Sequence, residues 1–90
     1  MSSSQDRQRL DKWLFFARIL KSREKAASLV KEGYVRVNGA RADAPAKQIK
    51  LDDVLTIALE HKTFVLKVKS VGVRRGPASE AIQLYKDETV

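Results

Sequence analysis

The stretch from residue 9 to residue 39 constrains the fold of this 90-residue chain more strongly than any other part of it. It reads RLDKWLFFARILKSREKAASLVKEGYVRVNG. Apolar residues recur at helical spacing in its first two thirds and alternate with polar residues near its end. This pattern predicts two short helices that are joined by a basic corner and followed by a strand and a hairpin turn.

The first helix is predicted at residues 9–20. At about 100° per residue, five apolar side chains fall on one side of this helix and predict a stripe that faces the core: Leu10, Trp13, Leu14, Ala17 and Leu20. Phe15 and Ile19 project away from the stripe. Two alternatives remain open: another part of the fold, such as the C-terminal segment, covers them, or Phe15 is a stacking surface for an unpaired base.

The second helix is predicted at residues 22–32. Ser22 is suited to the N-cap position, and Gly33 is suited to a left-handed residue that ends the helix. Residues 34–37 alternate like a half-buried strand, and Asn38-Gly39 is the strongest short signal for a hairpin turn.

The remaining strands are predicted from shorter patterns. Residues 40–50 favour neither a helix nor a strand and indicate an extended loop across the basic side. Strands are expected at residues 54–59 and 63–71, with His61 in the turn between them. These assignments make His61 a loop residue and not a catalyst.

A short C-terminal helix is predicted at residues 78–85, with Pro77 at its start. Ile82 and Tyr85 are expected to pack on the body of the domain, and the last five residues are expected to be loose. The predicted fold class is α+β, with two N-terminal helices on a small, mostly antiparallel sheet and a short C-terminal helix.

Positive charge is concentrated in the first half of the chain. The 18 Lys and Arg residues and the 11 Asp and Glu residues give a net charge of +7. Residues 1–50 contain twelve of the cations and five of the anions, whereas residues 51–90 contain six of each. This asymmetry favours a polyanionic partner that meets one side of the domain. The alternative, a basic surface that only maintains solubility, does not require asymmetry.

The composition argues against catalysis and against a metal site or cofactor. The chain has no cysteine and one histidine, and its four glycines are too scattered to form a phosphate loop. Paired Asp52-Asp53 is more typical of a turn than of an acid–base pair. No apolar run reaches the length of a membrane span, so the default location is the cytoplasm. We therefore expect a binding module without enzymatic activity.

The residues that predict the helix pair and the hairpin also resemble the S4 RNA-binding domain family. That family's pattern is an Arg-Leu-Asp opening, a Ser-Arg at the helix corner and Gly-x-Val-x-Val-Asn-Gly. The chain matches it at residues 9–11, 22–23 and 33–39. Residues 74–88, RRGPASEAIQLYKDE, are similar to the segment that follows this domain in the family of bacterial fifteen-kilodalton heat-shock proteins.

The resemblance implies a small S4-like domain with the αL motif at residues 9–71. A flexible N-terminus at residues 1–8 would precede it, and a loop with a short helix at residues 72–90 would pack on it. It also implies a protein of the bacterial cytosol that binds structured ribosomal RNA on free large ribosomal subunits. In that family those subunits carry a nascent chain on tRNA, so the implied role is rescue of stalled translation, recycling, ribosome quality control or the heat-shock response.

Peptidyl-tRNA is a further candidate partner. We expect a monomer that needs no cofactor and binds no membrane. The alternative from a different class is a protein-interaction or anionic-surface-binding module that uses the same basic face. The membrane form of this alternative is disfavoured because both helices need their apolar stripes for the core.

The expected RNA contacts lie at the helix corner and along a second edge that follows the hairpin. They are positively charged or polar residues that can bind backbone phosphates: Arg9, Lys12, Arg18, Lys21, Ser22, Arg23, Lys25, Arg36, Asn38, Arg41, Lys47 and Lys50. Asp11 is expected to hold Arg9 or Arg23 in place and not to contact RNA.

Overall fold

The computed structural model describes residues 7–89, in which three α-helices accompany seven short strands. This arrangement confirms the predicted α+β class. The elements in chain order are β1 (Arg7–Arg9), α1 (Leu10–Phe16), α2 (Arg23–Lys31), β2 (Val35–Val37), β3 (Ala40–Arg41), β4 (Gln48–Lys50), β5 (Val54–Ala58), β6 (Thr63–Val68), α3 (Ala78–Ala81), a 3₁₀ turn (Ile82–Leu84) and β7 (Tyr85–Asp87).

The strands of the described chain form two antiparallel sheets. The larger has five strands in the order β3-β2-β5-β6-β7, and the smaller is a ribbon of β1 and β4. In the ribbon Gln8 lies opposite Ile49, which is fully buried. The sequence does not predict this ribbon, because its pattern indicates a flexible N-terminus at residues 7–8 and a loop at residues 40–50. Residues 1–6 of that predicted N-terminus lie outside the described residues.

Helix α1 is shorter than predicted, since it ends at Phe16 and not at residue 20. The backbone N–H of Arg18 donates to the Phe15 carbonyl at 3.1 Å, and that of Ile19 donates to the Leu14 carbonyl at 3.0 Å. These two bonds form a Schellman motif in which Arg18 occupies the left-handed position with φ of 61°. Glycine is the usual residue there, so the sequence contained no stop signal.

Helix α2 confirms both of its predicted ends within one residue. The Ser22 hydroxyl accepts a hydrogen bond from the Lys25 backbone N–H at 3.1 Å and caps the helix. At the other end, Gly33 has φ of 89° and its N–H donates to the Val30 carbonyl. The N–H of Tyr34 reaches back to Leu29, so α2 ends with the same Schellman motif as α1.

The predicted hairpin is confirmed. Asn38 and Gly39 have φ of 52° and 86°, and Val37 pairs with Ala40 across the two-residue loop. Positive φ at both central residues is the requirement of the type I′ turn, whose twist matches that of the flanking strands.

The core lies between the helix pair and the five-stranded sheet. Leu10, Trp13 and Leu14 of α1 are fully buried, as are the inward residues Leu55 and Ile57 of β5. The alternation that predicted β5 is thus the alternation of its burial. Leu20, beyond the end of α1, packs against this core as a partly buried residue.

The C-terminal segment differs from its prediction in three respects. The α-helix ends at Ala81, and Ile82 remains 60% exposed, so the expectation that it packs on the body was wrong. Tyr85 does pack, with its ring edge-on to Trp13 at 6.2 Å. The segment after it is not loose, because β7 pairs with β6 and the Glu88 N–H donates to the Val65 carbonyl.

None of the helices in the described part of the chain is long and apolar enough to cross a membrane.

Candidate nucleic-acid interface

A buried carboxylate in the first turn of α1 binds basic residues that lie just before α1 and at the start of α2. Asp11 is 4% exposed and accepts two hydrogen bonds from Arg9, from Nε at 3.1 Å and from an Nη at 3.0 Å. An Nη of Arg23 approaches the same carboxylate at 3.6 Å, and the Lys12 backbone N–H donates to it at 2.7 Å. The structure therefore shows Asp11 holding both arginines that the sequence offered as alternatives. We call Arg9, Asp11, Lys12 and Arg23 the corner cluster.

The corner cluster leaves donors available to a ligand. A guanidinium carries five N–H donors, and Arg9 directs two of its nitrogens at Asp11. The side chains of Arg9 and Arg23 remain 49% and 45% exposed. Arg9 is thus held by two hydrogen bonds and Arg23 by a longer ion pair, while about half of each side chain stays accessible to a phosphate.

Two further exposed cations lie nearby in the sequence, Lys21 just before α2 and Lys25 in its first turn. Ser22 lies between them and uses its hydroxyl to accept from the Lys25 N–H. The role that the structure shows for Ser22 is therefore capping of α2, and one first-turn N–H is already satisfied.

A second cationic surface lies beside the hairpin. A groove of about 380 Å³ runs between the β2–β3 hairpin and β4, and we call it the hairpin groove. Its charged lining residues are Arg7, Arg41, Asp43, Lys47, Lys50 and Asp53. Four cations against two anions leave the groove positive, which suits a phosphate backbone.

One of the two anions is structural. Asp53 is 5% exposed and accepts hydrogen bonds from the Lys50 N–H at 3.0 Å, the Lys50 ammonium at 3.1 Å and the Asn38 amide at 3.0 Å. The amide oxygen of Asn38 in turn accepts from the Val54 N–H at 2.9 Å. Asn38, predicted as an RNA contact, thus directs its polar atoms at the protein.

These contacts set the protonation behaviour of Asp53. Burial by itself would raise its pKa, but hydrogen bonds from the Lys50 N–H, the Asn38 amide and the Lys50 ammonium, with the Lys50 charge, outweigh burial and lower it. A carboxyl group whose pKa is lowered in the folded state stabilises the fold at pH values above its unfolded pKa, which is 3.8 here.

We therefore expect the contribution of Asp53 to stability to be present above about pH 4 and to be lost as the pH falls through its lower folded pKa. Asp53→Asn should reduce the free energy of unfolding at pH 7 and flatten its decline in acid, as measured by urea unfolding at a series of pH values. Asp52→Asn is the matched control, because Asp52 is the exposed neighbour. An Asp53→Asn variant with the acid dependence of the wild type would contradict this assignment.

The corner cluster and the hairpin groove are continuous. A second groove, of about 660 Å³, is lined by Arg7, Arg9 and Lys12 together with Val71–Val73. Arg7 also lines the hairpin groove, so it joins the two cationic surfaces. Arg7 is not among the contacts expected from the sequence, because only its position in β1, opposite Lys50, brings it to this surface. A single basic residue near the N-terminus carries no signal of such a pairing.

Arg18 and Arg36 lie apart from these grooves. Arg18 is exposed and its Nε donates to the Gly76 carbonyl at 2.6 Å, in the loop that precedes α3. Arg36 lies on β2 directly opposite Arg41, with an Nη at 3.3 Å from the Gly39 carbonyl.

Phe15 on α1 and Ile19 just beyond its end both have partners in the fold. Ile19 packs against the core, and the Arg75 guanidinium lies 4.9 Å from the ring centroid of Phe15. A residue of the C-terminal part thus covers one face of Phe15.

Comparison with known proteins identifies the family of this chain. The sequence model of the S4 domain family matches residues 8–55, which include α1, α2, the hairpin and most of the residues that line the two grooves. Over 79 residues the chain is 39% identical to Heat shock protein 15 of Escherichia coli K12, covering 88% of this chain and 59% of that protein. It is 32% identical to the Heat shock protein 15 homolog of Haemophilus influenzae over 88% of this chain and 60% of that protein.

A solved structure is similar in fold. The Heat Shock Protein 15 of Vibrio cholerae, described as trimeric, superposes with a TM-score of 0.85 at 35% identity, over 91% of this chain and 82% of that one. The small ribosomal subunit protein uS4 of Nocardioides is 33% identical over 78% of this chain. The chain spans 59% to 60% of the length of the Heat shock protein 15 relatives. Because the family match covers residues 8–55 and the fold agrees, the chain belongs to the S4 domain family.

Proposed function

We propose that this domain binds structured ribosomal RNA through its backbone phosphates. The observation that carries the proposal is the buried Asp11 carboxylate, which orients two half-exposed arginines, Arg9 and Arg23, at one corner of the fold. Preorganised guanidinium groups lose less conformational entropy on binding a phosphate than free side chains do. The corner continues through Arg7 into the hairpin groove, so one RNA segment can contact both surfaces.

Positive charges that face each other across paired strands also favour a polyanionic partner. Arg36 lies directly opposite Arg41 in the hairpin, and Arg7 lies opposite Lys50 in the ribbon. Like charges at opposed positions destabilise a pair of strands. A phosphate backbone along these strands would relieve the repulsion.

The relatives support a partner on the ribosome. They comprise heat shock proteins and a ribosomal protein, and none of their names denotes an enzyme. We extend the proposal to the large ribosomal subunit that carries nascent chain-tRNA, with a role in stalled-translation rescue, recycling or the heat-shock response. This partner places the protein in the bacterial cytosol.

We further propose that the chain acts as a monomer when it binds RNA. The Vibrio cholerae neighbour is described as a trimer, so light scattering of the purified protein tests this point directly. A mass of three chains at the concentrations used for RNA binding would contradict it.

Recognition of phosphates predicts a steep salt dependence. If about five phosphates are engaged, the logarithm of the affinity should fall with the logarithm of the salt concentration with a slope between about −3.5 and −4.5. Fluorescence anisotropy of a labelled ribosomal RNA fragment, titrated with the protein at several salt concentrations, measures the slope. A flat profile, or binding to anionic vesicles with the same affinity as to RNA, would contradict the proposal.

A further inference from the structure

The loop that precedes α3 is anchored at its start on β1 and α1. The Gln8 amide donates to the Gly72 carbonyl at 2.7 Å and accepts from the Gly72 N–H at 3.0 Å. The Trp13 indole donates to the Ser70 carbonyl at 2.9 Å. A Cβ on Gly72 would lie 2.8 Å from the Cβ of Phe16, so only glycine permits this close approach.

The end of the same loop is anchored by Arg18, whose Nε donates to the Gly76 carbonyl. Arg18 occupies the left-handed position at which α1 ends, with φ of 61°. A long side chain is unfavourable there compared with glycine. A residue held in a disfavoured conformation is a reason to look for a function at that position.

Between these anchors, the guanidinium of Arg75 is held over the half-buried ring of Phe15 at 4.9 Å. Its Nε is buried and, within residues 7–89, has no hydrogen-bond partner. The neighbouring Arg74 differs, because it forms an ion pair with Glu80 at 2.6 Å. Arg75 is thus held against the Phe15 ring by a cation–π contact, and no hydrogen bond within the described residues fixes its Nε.

We propose that Arg75, Phe15 and Arg18 form a subsite for an unpaired nucleotide of the RNA. The base stacks on the outer face of the Arg75 guanidinium, and Arg18 binds the adjacent phosphate. This inference rests on the proposed RNA-binding function and adds a contact that distinguishes an unpaired base from a regular helix. Unpaired bases in RNA are recognised by stacking on aromatic rings and on guanidinium planes, which is the surface that Arg75 and Phe15 provide.

An acidic peptide is the competing partner for Arg18 and Arg75. A carboxylate would bind the edge of a guanidinium and needs no flat surface behind it. The contact of Arg75 with an aromatic ring, in a loop anchored on both sides, favours a planar ligand instead.

The test compares two labelled RNA hairpins with the same stem, one of which carries a single unpaired adenosine. We expect the wild type to bind the hairpin with the unpaired base about tenfold more tightly, the effect of one stacked base. Arg75→Lys keeps the charge but removes the plane, and it should bring the ratio of affinities to about one. Arg74→Lys is the matched control and should keep the tenfold ratio.

A second variant tests the role of Arg18. Arg18→Gly places the usual residue in the left-handed position, so the melting temperature should stay within a few degrees of the wild type. Its affinity for the hairpin with the unpaired base should nevertheless fall about tenfold, because the variant loses both the charged contact with phosphate and the anchor on the Gly76 carbonyl. An unchanged affinity would overturn the role of Arg18.

Equal binding of the two hairpins by the wild type, or a tenfold ratio retained by folded Arg75→Lys, would overturn the subsite. Binding of a polyglutamate peptide that depends on Arg75, together with equal binding of the hairpins, would assign the residue to a protein partner. Absence of binding to both hairpins at low salt would instead reject the proposed RNA-binding function and the subsite with it.

Discussion

Replacing Arg9 and Arg23 together with glutamine is expected to weaken binding of ribosomal RNA by about 100-fold. Each arginine is oriented by Asp11 and offers charge-assisted hydrogen bonds to phosphate, which contribute about 1.5–3 kcal/mol each. Two such losses, each taken at the lower end of this range, correspond to roughly two orders of magnitude in the dissociation constant. Anisotropy titration of the wild type and the variant at one salt concentration measures the difference.

The matched control removes two positive charges elsewhere. Lys69 and Lys86 are exposed and lie in the electrically balanced half of the chain, and Lys86 is on β7, the sheet edge opposite to β3. Lys69→Gln with Lys86→Gln should change the affinity no more than a few-fold, because surface charges beyond about 10 Å are screened. Equal losses in the two double variants would mean that only net charge matters and that the corner cluster is not the site.

The Arg9 and Arg23 variant leaves Asp11 buried without its cations, which is unfavourable for the fold. Adding Asp11→Asn removes that buried charge. The triple variant should recover stability in urea unfolding but not RNA affinity. Recovery of affinity would show that the loss in the double variant came from the fold and not from phosphate contacts.

Trp13→Ala is expected to have the largest effect on stability, a loss of about 3–5 kcal/mol in the free energy of unfolding. Trp13 is fully buried, packs edge-on against Tyr85 and donates to the Ser70 carbonyl. The substitution leaves a cavity between α1 and the C-terminal segment, and it leaves a carbonyl without its donor. Domains of this size are stable by only about 5–15 kcal/mol, so the variant should be close to unfolding.

Trp13→Phe separates these two contributions. It retains an aromatic ring in the core and removes the indole donor, so it should cost about 1–3 kcal/mol. Urea unfolding of the wild type and both variants, monitored by circular dichroism, measures these differences in the free energy of unfolding. A Trp13→Ala variant within 1 kcal/mol of the wild type, as expected for a surface position, would show that Trp13 does not tie the C-terminal segment to the core.

The parts of the fold that could be predicted are those with local signals. Ser22 caps α2, Gly33 ends it, and Asn38-Gly39 forms the hairpin, and each acts within a few residues of itself. Arg18 adopts the left-handed conformation that is usual for glycine, so the residue type does not indicate that α1 ends there. The β1–β4 ribbon pairs three residues with three others about forty positions away, and no local pattern predicts such a contact.

The candidate site was predictable in charge but not in arrangement. Clustering of cations in residues 1–50 and the expected hold of Asp11 on Arg9 or Arg23 agree with the corner cluster. The role of Arg7 depends on the unpredicted ribbon, and the bonds of Asn38 to β5 depend on tertiary structure. The same residue types make hydrogen bonds within the fold and contacts with RNA, so the sequence alone does not tell the two roles apart.

Co-sedimentation with purified large ribosomal subunits, bare and carrying peptidyl-tRNA, tests the central proposal most directly. We expect the wild type to sediment with the subunits, more strongly with those that carry peptidyl-tRNA, and to be released as salt rises. The folded variant with Arg9 and Arg23 replaced should remain in the supernatant with both. Failure of the wild type to sediment with either form at low salt, or equal sedimentation of the variant, would contradict ribosomal RNA binding through the corner cluster.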